Sequence, residues 1–537
     1  MKPAFFILQH GDNNMSHIES VEQLDNVGEV VRYYATTKPD HLAMVFDDRK
    51  TTYAELHTHS SRVANGLRAE AIGESGRIAY LGKNTDRYYE LFFGTAKSGV
   101  VMVAVNWRLA YPEVEYILND ANVQILFVES EFECIAQTVL NNCEHLKKIV
   151  FIDGDDERGY ISWRERHIDQ DIQQNIGRDS ICLQMYTSGT TGNPKGVLLP
   201  HRCFFSQRKA ERTAGSWAQW DEGDVNLVAM PTFHIGGTGW GFVAFYHGAT
   251  NVIHSVPDAD KIAGDIAAYK ITKMFVVPAV LQQIVAVAQS KGMDLTSMKY
   301  VIYGASPIPE SLLIDAIALF ECSFCQQYGM TEATGAVSYL PPEDHDVKGN
   351  ARMKSCGKAF PGIEFKICDE QGNSLPQGEA GEIYIQSPAI MSGYWNLDTA
   401  TNDALQEGWY KSGDAGYLDK DGYLYMQDRV KDMIVSGGEN IYPAEIESVL
   451  YKHPAVKDVA VIGVPDQKWG EAVKAIVITD RPLDMDDIIQ YARQYIAGYK
   501  VPRSVDFVDE IPRNASGKIL KNVLREKFWK GYERRVN

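Results

Sequence analysis

The chain has 537 residues, 45% of them hydrophobic and 23% charged, and carries a formal net charge of −18 at pH 7. That length exceeds what one compact core accommodates and predicts two or more domains of ordinary globular composition. The acidic balance excludes nucleic acid as a partner, because no basic surplus exists to replace counterions along a phosphate backbone.

At the start of the chain, the apolar run from Pro3 to Leu8 is too short for a signal-peptide core and meets His10, Asp12 and Asn13 at once. No run approaches the roughly 18 apolar residues of a membrane span. The expectation is a cytoplasmic protein with no transmembrane segment, peripheral membrane contact being left open. Thr52 and Glu55 form a capping box that opens a helix with Leu56, Val63 and Leu67 on one face, and a strand over 77–81 follows. Helical and strand-like segments then alternate: a helix over 88–96, a strand over 100–105, a helix over 112–118, and strands over 124–128 and 148–152. Such alternation predicts an α/β architecture of large parallel or mixed sheets with helix layers. The eight cysteines are scattered and read as reduced thiols. Cys322 and Cys325 make a CxxC, but no second pair or ligand-spaced histidines accompany it, which argues against zinc.

Between the apolar segments 181–185 and 197–199 lies Tyr186-Thr187-Ser188-Gly189-Thr190-Thr191-Gly192-Asn193-Pro194-Lys195-Gly196-Val197. Gly189, Gly192 and Gly196 would let backbone N–H groups turn toward an anion, while Thr187, Ser188, Thr190, Thr191 and Lys195 add hydroxyls and a cation. Framed by core on both sides, the run reads as a phosphate cradle and not a linker. Its spacing fails the Walker A pattern, since Pro194 precedes Lys195 and no Ser or Thr follows it. Beyond residues 428–432 the composition shifts. A helix over 443–450 with Pro443 near its first turn and strands over 459–464 and 472–478 then predict a small α+β lobe. The expected division is a large domain over 1–428, a hinge over 429–432 and a small mobile domain over 433–537.

The segment 186–197 resembles, almost residue for residue, the signature loop of the adenylate-forming superfamily: acyl-CoA synthetases, aryl-CoA ligases, luciferases and peptide-synthetase adenylation domains. The resemblance extends through successive motifs over nearly the whole chain. It implies an acyl-CoA synthetase-like fold and a reaction in which ATP and a carboxylic acid give acyl-AMP and pyrophosphate before CoA takes the acyl group. In Gln327-Tyr328-Gly329-Met330-Thr331-Glu332 it implies that the Tyr lies against adenine, the Thr contacts the α-phosphate and the Glu binds Mg2+, a hard cation suited to carboxylate oxygen. Gly304-Ala305-Ser306 resembles the segment whose backbone borders adenine and acyl group. Asp414 matches the residue that takes both ribose hydroxyls, and Arg429 the second ribose anchor.

Toward the C-terminus, the segment 511–519 resembles the loop that delivers the family's catalytic lysine, here Lys518. Lys431, two positions beyond Arg429, is the implied hinge about which the small domain swings between half-reactions. Gly437, Gly438 and Glu439 are the implied edge for the pantetheine arm of CoA, and Trp469 matches a residue that stacks on the CoA nucleotide. His234 resembles the gate of the acyl tunnel, Trp240 its wall, and Gln327 stands where many members carry Gly, favouring a compact or oxygenated acid. The expected ligands are therefore ATP, Mg2+, coenzyme A and a small carboxylic acid, fatty or aromatic, with a homodimer left open. Three other readings remain at this point: loading of a carrier-protein phosphopantetheine, a luciferase-like oxygenase, and a non-catalytic acyl or nucleotide sensor.

Overall fold

The computed structural model describes residues 20–172, 174–187, 194–429, 432–436, 439–466, 469–496, 498–513 and 519–530. Its strands form four sheets among those residues. Two large α/β sheets and a smaller antiparallel sheet make the N-terminal domain, and a five-stranded sheet with helices makes the smaller C-terminal α+β domain.

The predicted capping box is present: Thr52 Oγ1 accepts from the Glu55 N–H, and Glu55 returns to the Thr52 N–H at 2.8 Å. It starts the helix Tyr53–Ala69, whose Leu56, Val63 and Leu67 are fully buried. The helix Asp86–Ser98 crosses so closely that a Cβ on Gly94 would sit 2.4 Å from Val63 Cγ1. Both helices lie over a seven-stranded sheet whose central strands, Arg77–Leu81, Val101–Val105 and Ile125–Val128, run parallel and are buried throughout. Burial on both faces explains why these strands read as continuous apolar runs.

The second large sheet has nine strands. Five parallel strands fill its middle: Thr250–Ile253, Val225–Val228, Lys273–Val276, Tyr300–Gly304 and Ser323–Met330. The strand Gly335–Leu340 then turns back antiparallel. The third sheet, from Glu364–Cys368 through Trp409–Leu418 to Leu424–Arg429, is wholly antiparallel.

In the C-terminal part, Pro443–Leu450 is a helix as expected. Val456–Asp466 and Gly470–Thr479 form an antiparallel hairpin longer at both ends than the sequence pattern suggests. Ile434, Ile446, Leu450, Val459 and Val473 build a separate small core. A buried ion pair joins Arg525 on the last helix, Lys521–Trp529, to Asp432 at the entrance to this lobe. All eight cysteines are free thiols. Cys134 is exposed, and burial pushes the Cys322 thiol up to about 12. Among the described residues no helix is long and apolar enough to cross a membrane.

Candidate active site

Three sheets converge on one place. The seven-stranded sheet contributes a hairpin in which the strands Ile181–Thr187 and Lys195–Pro200 pair antiparallel, with Thr187 opposite Lys195. The candidate phosphate loop is thus closed at its base by backbone pairing. Ser188, Gly189, Thr190 and Thr191 lie outside the described residues. Gly196 calls for a correction: it sits inside the second strand opposite Tyr186 and is no part of the turn. Its lack of a side chain answers packing, since a Cβ would lie 2.6 Å from Gln184 Nε2, and Gln184 Oε1 accepts from buried Arg77 at 2.8 Å.

The nine-stranded sheet contributes Tyr328, Gly329 and Met330 at the end of Ser323–Met330, then Thr331 and Glu332 in a short 3₁₀ turn. Glu332 Oε1 accepts hydrogen bonds from Thr187 Oγ1 at 3.5 Å and from the Tyr394 hydroxyl at 3.2 Å. Tyr394 also lies under the Lys195 ammonium, 4.9 Å from nitrogen to ring centroid. The strand Gly393–Tyr394 reaches this point by pairing with Lys195–Pro200, and Trp395 N–H donates to the Gly196 carbonyl at 2.7 Å. Tyr394 was not anticipated. No spacing signals it, because it lies more than sixty residues beyond Glu332 and arrives by a strand only two residues long.

The antiparallel sheet contributes Asp414, which is 4% exposed and accepts from the Tyr328 hydroxyl at 2.7 Å. The register of Trp409–Leu418 against Leu424–Arg429 sets Asp414 opposite Arg429, so the two candidate ribose anchors are backbone neighbours. Gly304, closing its strand, pairs with Gln327, and a Cβ there would meet the Gln327 carbonyl oxygen at 2.1 Å. Ala305 follows at φ +67°, a left-handed conformation that costs a non-glycine residue about 1 kcal/mol or more. Ser306 is exposed just beyond it.

His234 precedes the helix Ile235–Tyr246, its ring 4.5 Å from that of Phe233. Its Nε2 is buried without a protein partner, and burial, reinforced by Arg108, holds the imidazole neutral with a pKa lowered to about 4. Trp240, on the same helix, donates from Nε1 to the Leu227 carbonyl at 3.1 Å. In the C-terminal domain, the ring of Trp469 lies beneath the Arg503 guanidinium at 4.8 Å. Glu439 begins the short strand Glu439–Ile441. Lys431, Gly437, Gly438 and Lys518 lie outside the described residues, but the base of the last loop is defined. Arg513 and Ile519 form an antiparallel bridge, and Arg513 Nη2 donates to both carboxylate oxygens of Asp458, at 2.7 and 2.8 Å.

The donor set suits a magnesium ion that arrives with a nucleotide. Glu332 is a carboxylate, and no cluster of three or more His, Cys, Asp or Glu capable of holding a metal alone exists among the described residues. Magnesium typically takes one or two protein carboxylates and completes its shell with phosphate oxygens and water. A loop closed by paired strands, a carboxylate against it and a second, buried carboxylate beside an aromatic hydroxyl define an α/β enzyme built to grip a nucleotide between sheets.

The chain belongs to the AMP-binding enzyme family, whose model matches residues 31–395, with the AMP-binding enzyme C-terminal domain matching 445–518. It is an AMP-forming acid–thiol ligase of the adenylate-forming superfamily. It is similar to a fatty acid–[acyl-carrier-protein] ligase of Streptomyces coeruleorubidus, 40% identical over 96% of this chain and 99% of that one. It is 36% identical to a feruloyl-CoA synthase of an Amycolatopsis species, over 92% and 97% of the two chains. Among solved structures, the o-succinylbenzoate CoA synthetase of Bacillus subtilis in complex with its acyl-adenylate intermediate superposes with a TM-score of 0.82 at 30% identity, covering 92% of this chain and 97% of that one. ATP-bound MatB from Rhodopseudomonas palustris gives 0.85 at 28% identity, covering 95% and 100%.

Proposed function

We propose that this protein is an acyl-CoA ligase that joins a compact carboxylic acid to AMP and then hands the acyl group to the thiol of CoA. The observation that carries the reading is the convergence of Thr187, Glu332 and Tyr394 at the base of the phosphate loop, with Tyr328 and Asp414 beside them. A carboxylate is a poor acyl donor because its leaving group would be oxide, and conversion to a mixed anhydride with AMP removes that obstacle. Placing the α-phosphate in line with the incoming carboxylate is chiefly a matter of positioning and charge stabilisation.

In this reading Asp414 takes both ribose hydroxyls, which only a two-oxygen acceptor can do, and Arg429 is its partner. Tyr328 lies along the adenine, while Gly304, Ala305, Ser306 and Gln327 border base and acyl group. Ser188, Gly189, Thr190, Thr191 and Lys195 cradle the polyphosphate, with Thr187 and Thr331 at the α-phosphate. Glu332 would hold a magnesium ion carried in with the nucleotide, which would supply positive charge to offset that of the phosphates. Lys518 supplies the cation for the developing charge of the first half-reaction. A swing of residues 433–537 about Lys431 then replaces it with the edge Gly437–Gly438–Glu439, and Trp469 contacts the CoA nucleotide. No dedicated base is required, since a thiol of pKa about 8.5 is already a few per cent thiolate at neutral pH.

A second reading has a specific observation behind it: the relative at 40% identity is named for transfer to an acyl carrier protein. Thioester formation measured separately with free CoA and with a phosphopantetheinylated carrier protein distinguishes the acceptors. The two half-reactions test the mechanism. Lys518→Ala is expected to abolish acid-dependent ATP–pyrophosphate exchange yet spare thioester synthesis from supplied acyl-AMP, and Lys431→Pro to do the reverse. Unchanged exchange in Lys518→Ala, or production of ADP in place of AMP by the native enzyme, contradicts the reading.

A further inference from the structure

Parallel register organises one face of the nine-stranded sheet into rows. Gly304 and Gln327 pair at the carboxyl ends of their strands. Two residues back, about 7 Å, Phe275, Ile302 and Cys325 align, and two further back Lys273, Tyr300 and Ser323. Side chains at every second position share a face, so the three rows look the same way. The helices His201–Arg212 and Ile235–Tyr246 roof this face: Gln207 Nε2 donates to the Ala336 carbonyl at 2.7 Å, and Trp240 packs on Phe275 with ring centroids 6.2 Å apart.

Side chains beneath such a roof are expected to be sealed, as Ile302 and Cys325 are at 0% exposure. Trp240, Phe275, Tyr300 and Gln327 nevertheless keep partial exposure. Glu211 lies deep in the molecule with 12% of its side chain still accessible. From this partial exposure we infer a narrow cleft between the roof and the sheet. The cleft begins at Gln327 and its walls are aromatic. It closes where the Lys273 ammonium, 1% exposed, sits 4.3 Å from the ring centroid of Trp220 and 5.1 Å from that of Tyr300.

The acidic group on this side is Glu211, which lies near enough to Lys273 and Cys325 to interact electrostatically with both. Glu211 Oε1 accepts from Arg208 Nη2 at 2.8 Å and from Gln207 Nε2 at 3.3 Å, and Oε2 lies 2.7 Å from Arg208 Nη1. Two carboxylate oxygens offer about four acceptor directions, so this set leaves capacity for a further donor. Against a plain alkyl or aryl surface a partly hydrated carboxylate loses water and gains nothing. Against a hydroxyl or amino group it regains a charge-assisted hydrogen bond. We propose that the acid activated here is a flat aromatic acid bearing a hydroxyl or amino donor on its ring, which Glu211 receives between the aromatic walls. The proposal rests on the ligase reading and names the substrate class of that same site.

The test is pyrophosphate release with hydroxylated and aminated benzoic and cinnamic acids, their fluoro and methyl counterparts, and medium-chain fatty acids. In the native enzyme the donor-bearing acid is expected to exceed its matched isostere by at least ~10-fold in kcat/KM. The double variant Arg208→Met/Glu211→Met removes the acceptor without stranding a buried charge, and the preference should fall below about threefold. Glu211→Gln, which keeps a neutral acceptor, should fall between. Preference for the plain isostere or the fatty acid overturns the proposal while leaving the ligase reading intact, and so does a ratio unchanged in the double variant. Release with no acid at all sinks the ligase reading and the proposal together. Should the Met variants fail to fold, the native panel decides.

Discussion

Substituting Gly304 by Ala puts a methyl where the structure has a carbonyl. The new Cβ would lie 2.1 Å from the Gln327 oxygen, and that atom belongs to the neighbouring strand's backbone, so no side-chain rotation relieves it. Ordinary van der Waals contact starts at 3.4 Å, so the strands must part by about 1.3 Å. Overpacking of this kind costs about 1–3 kcal/mol. Because the displaced segment carries Gln327 and Tyr328 into the candidate nucleotide pocket, a shift of about 1 Å is expected to lower the adenylation rate on the order of a hundredfold. Gly292→Ala is the comparison. That residue ends the helix Pro278–Lys291 at φ +60° with nothing within 4 Å of the added atom, so it incurs backbone strain alone, about 1 kcal/mol, far from the site. Thermal melts and ATP–pyrophosphate exchange on both variants give the answer. If Gly304→Ala melts and turns over like Gly292→Ala, close strand approach is not what this glycine serves.

Glu332→Gln is expected to depress pyrophosphate release by about a hundredfold, whereas Tyr394→Phe, which deletes one donor to Glu332, should cost about tenfold; equal losses in the two would show that Tyr394 does more than orient the carboxylate. A third expectation concerns acid. Burial holds His201 and His247 at about 3 and His234 and His345 at about 4, all below the ordinary imidazole value of about 6.5. The unfolded chain therefore binds protons that the folded chain refuses. The associated stability is complete above about pH 6.5 and is lost as pH falls toward 4, at up to about 1.4 kcal/mol per histidine for each pH unit. A melting temperature that stays flat between pH 7 and 5 refutes this.

The parallel cores were readable because strands buried on both faces must be apolar throughout, and the helices between them announce themselves by capping and period. The third sheet was not. Its strand Trp409–Leu418 alternates buried and half-exposed positions while carrying Asp414 and two glycines, and a pattern so mixed does not declare a strand. Within the candidate site, Thr187, Glu332 and Asp414 could be picked out because family motifs surround them, and the structure brings Thr187 to Glu332 and Tyr328 to Asp414. Tyr394 and the Arg208–Glu211 pair stayed hidden. Each acts through a partner distant in sequence, or reads locally as an ordinary charged pair three residues apart on a helix.

The groups that converge around Glu332 stand on strand ends and the turns beside them, locked by backbone pairing, whereas the sheet face beyond Gln327 is covered by two helices laid over it. Swapping side chains on those helices leaves the hairpin and its register untouched. A catalyst divided in this way can exchange one cargo for another by altering its upholstery while the frame goes on performing the same first step, which makes the inner faces of His201–Arg212 and Ile235–Tyr246 the natural ground for redesign.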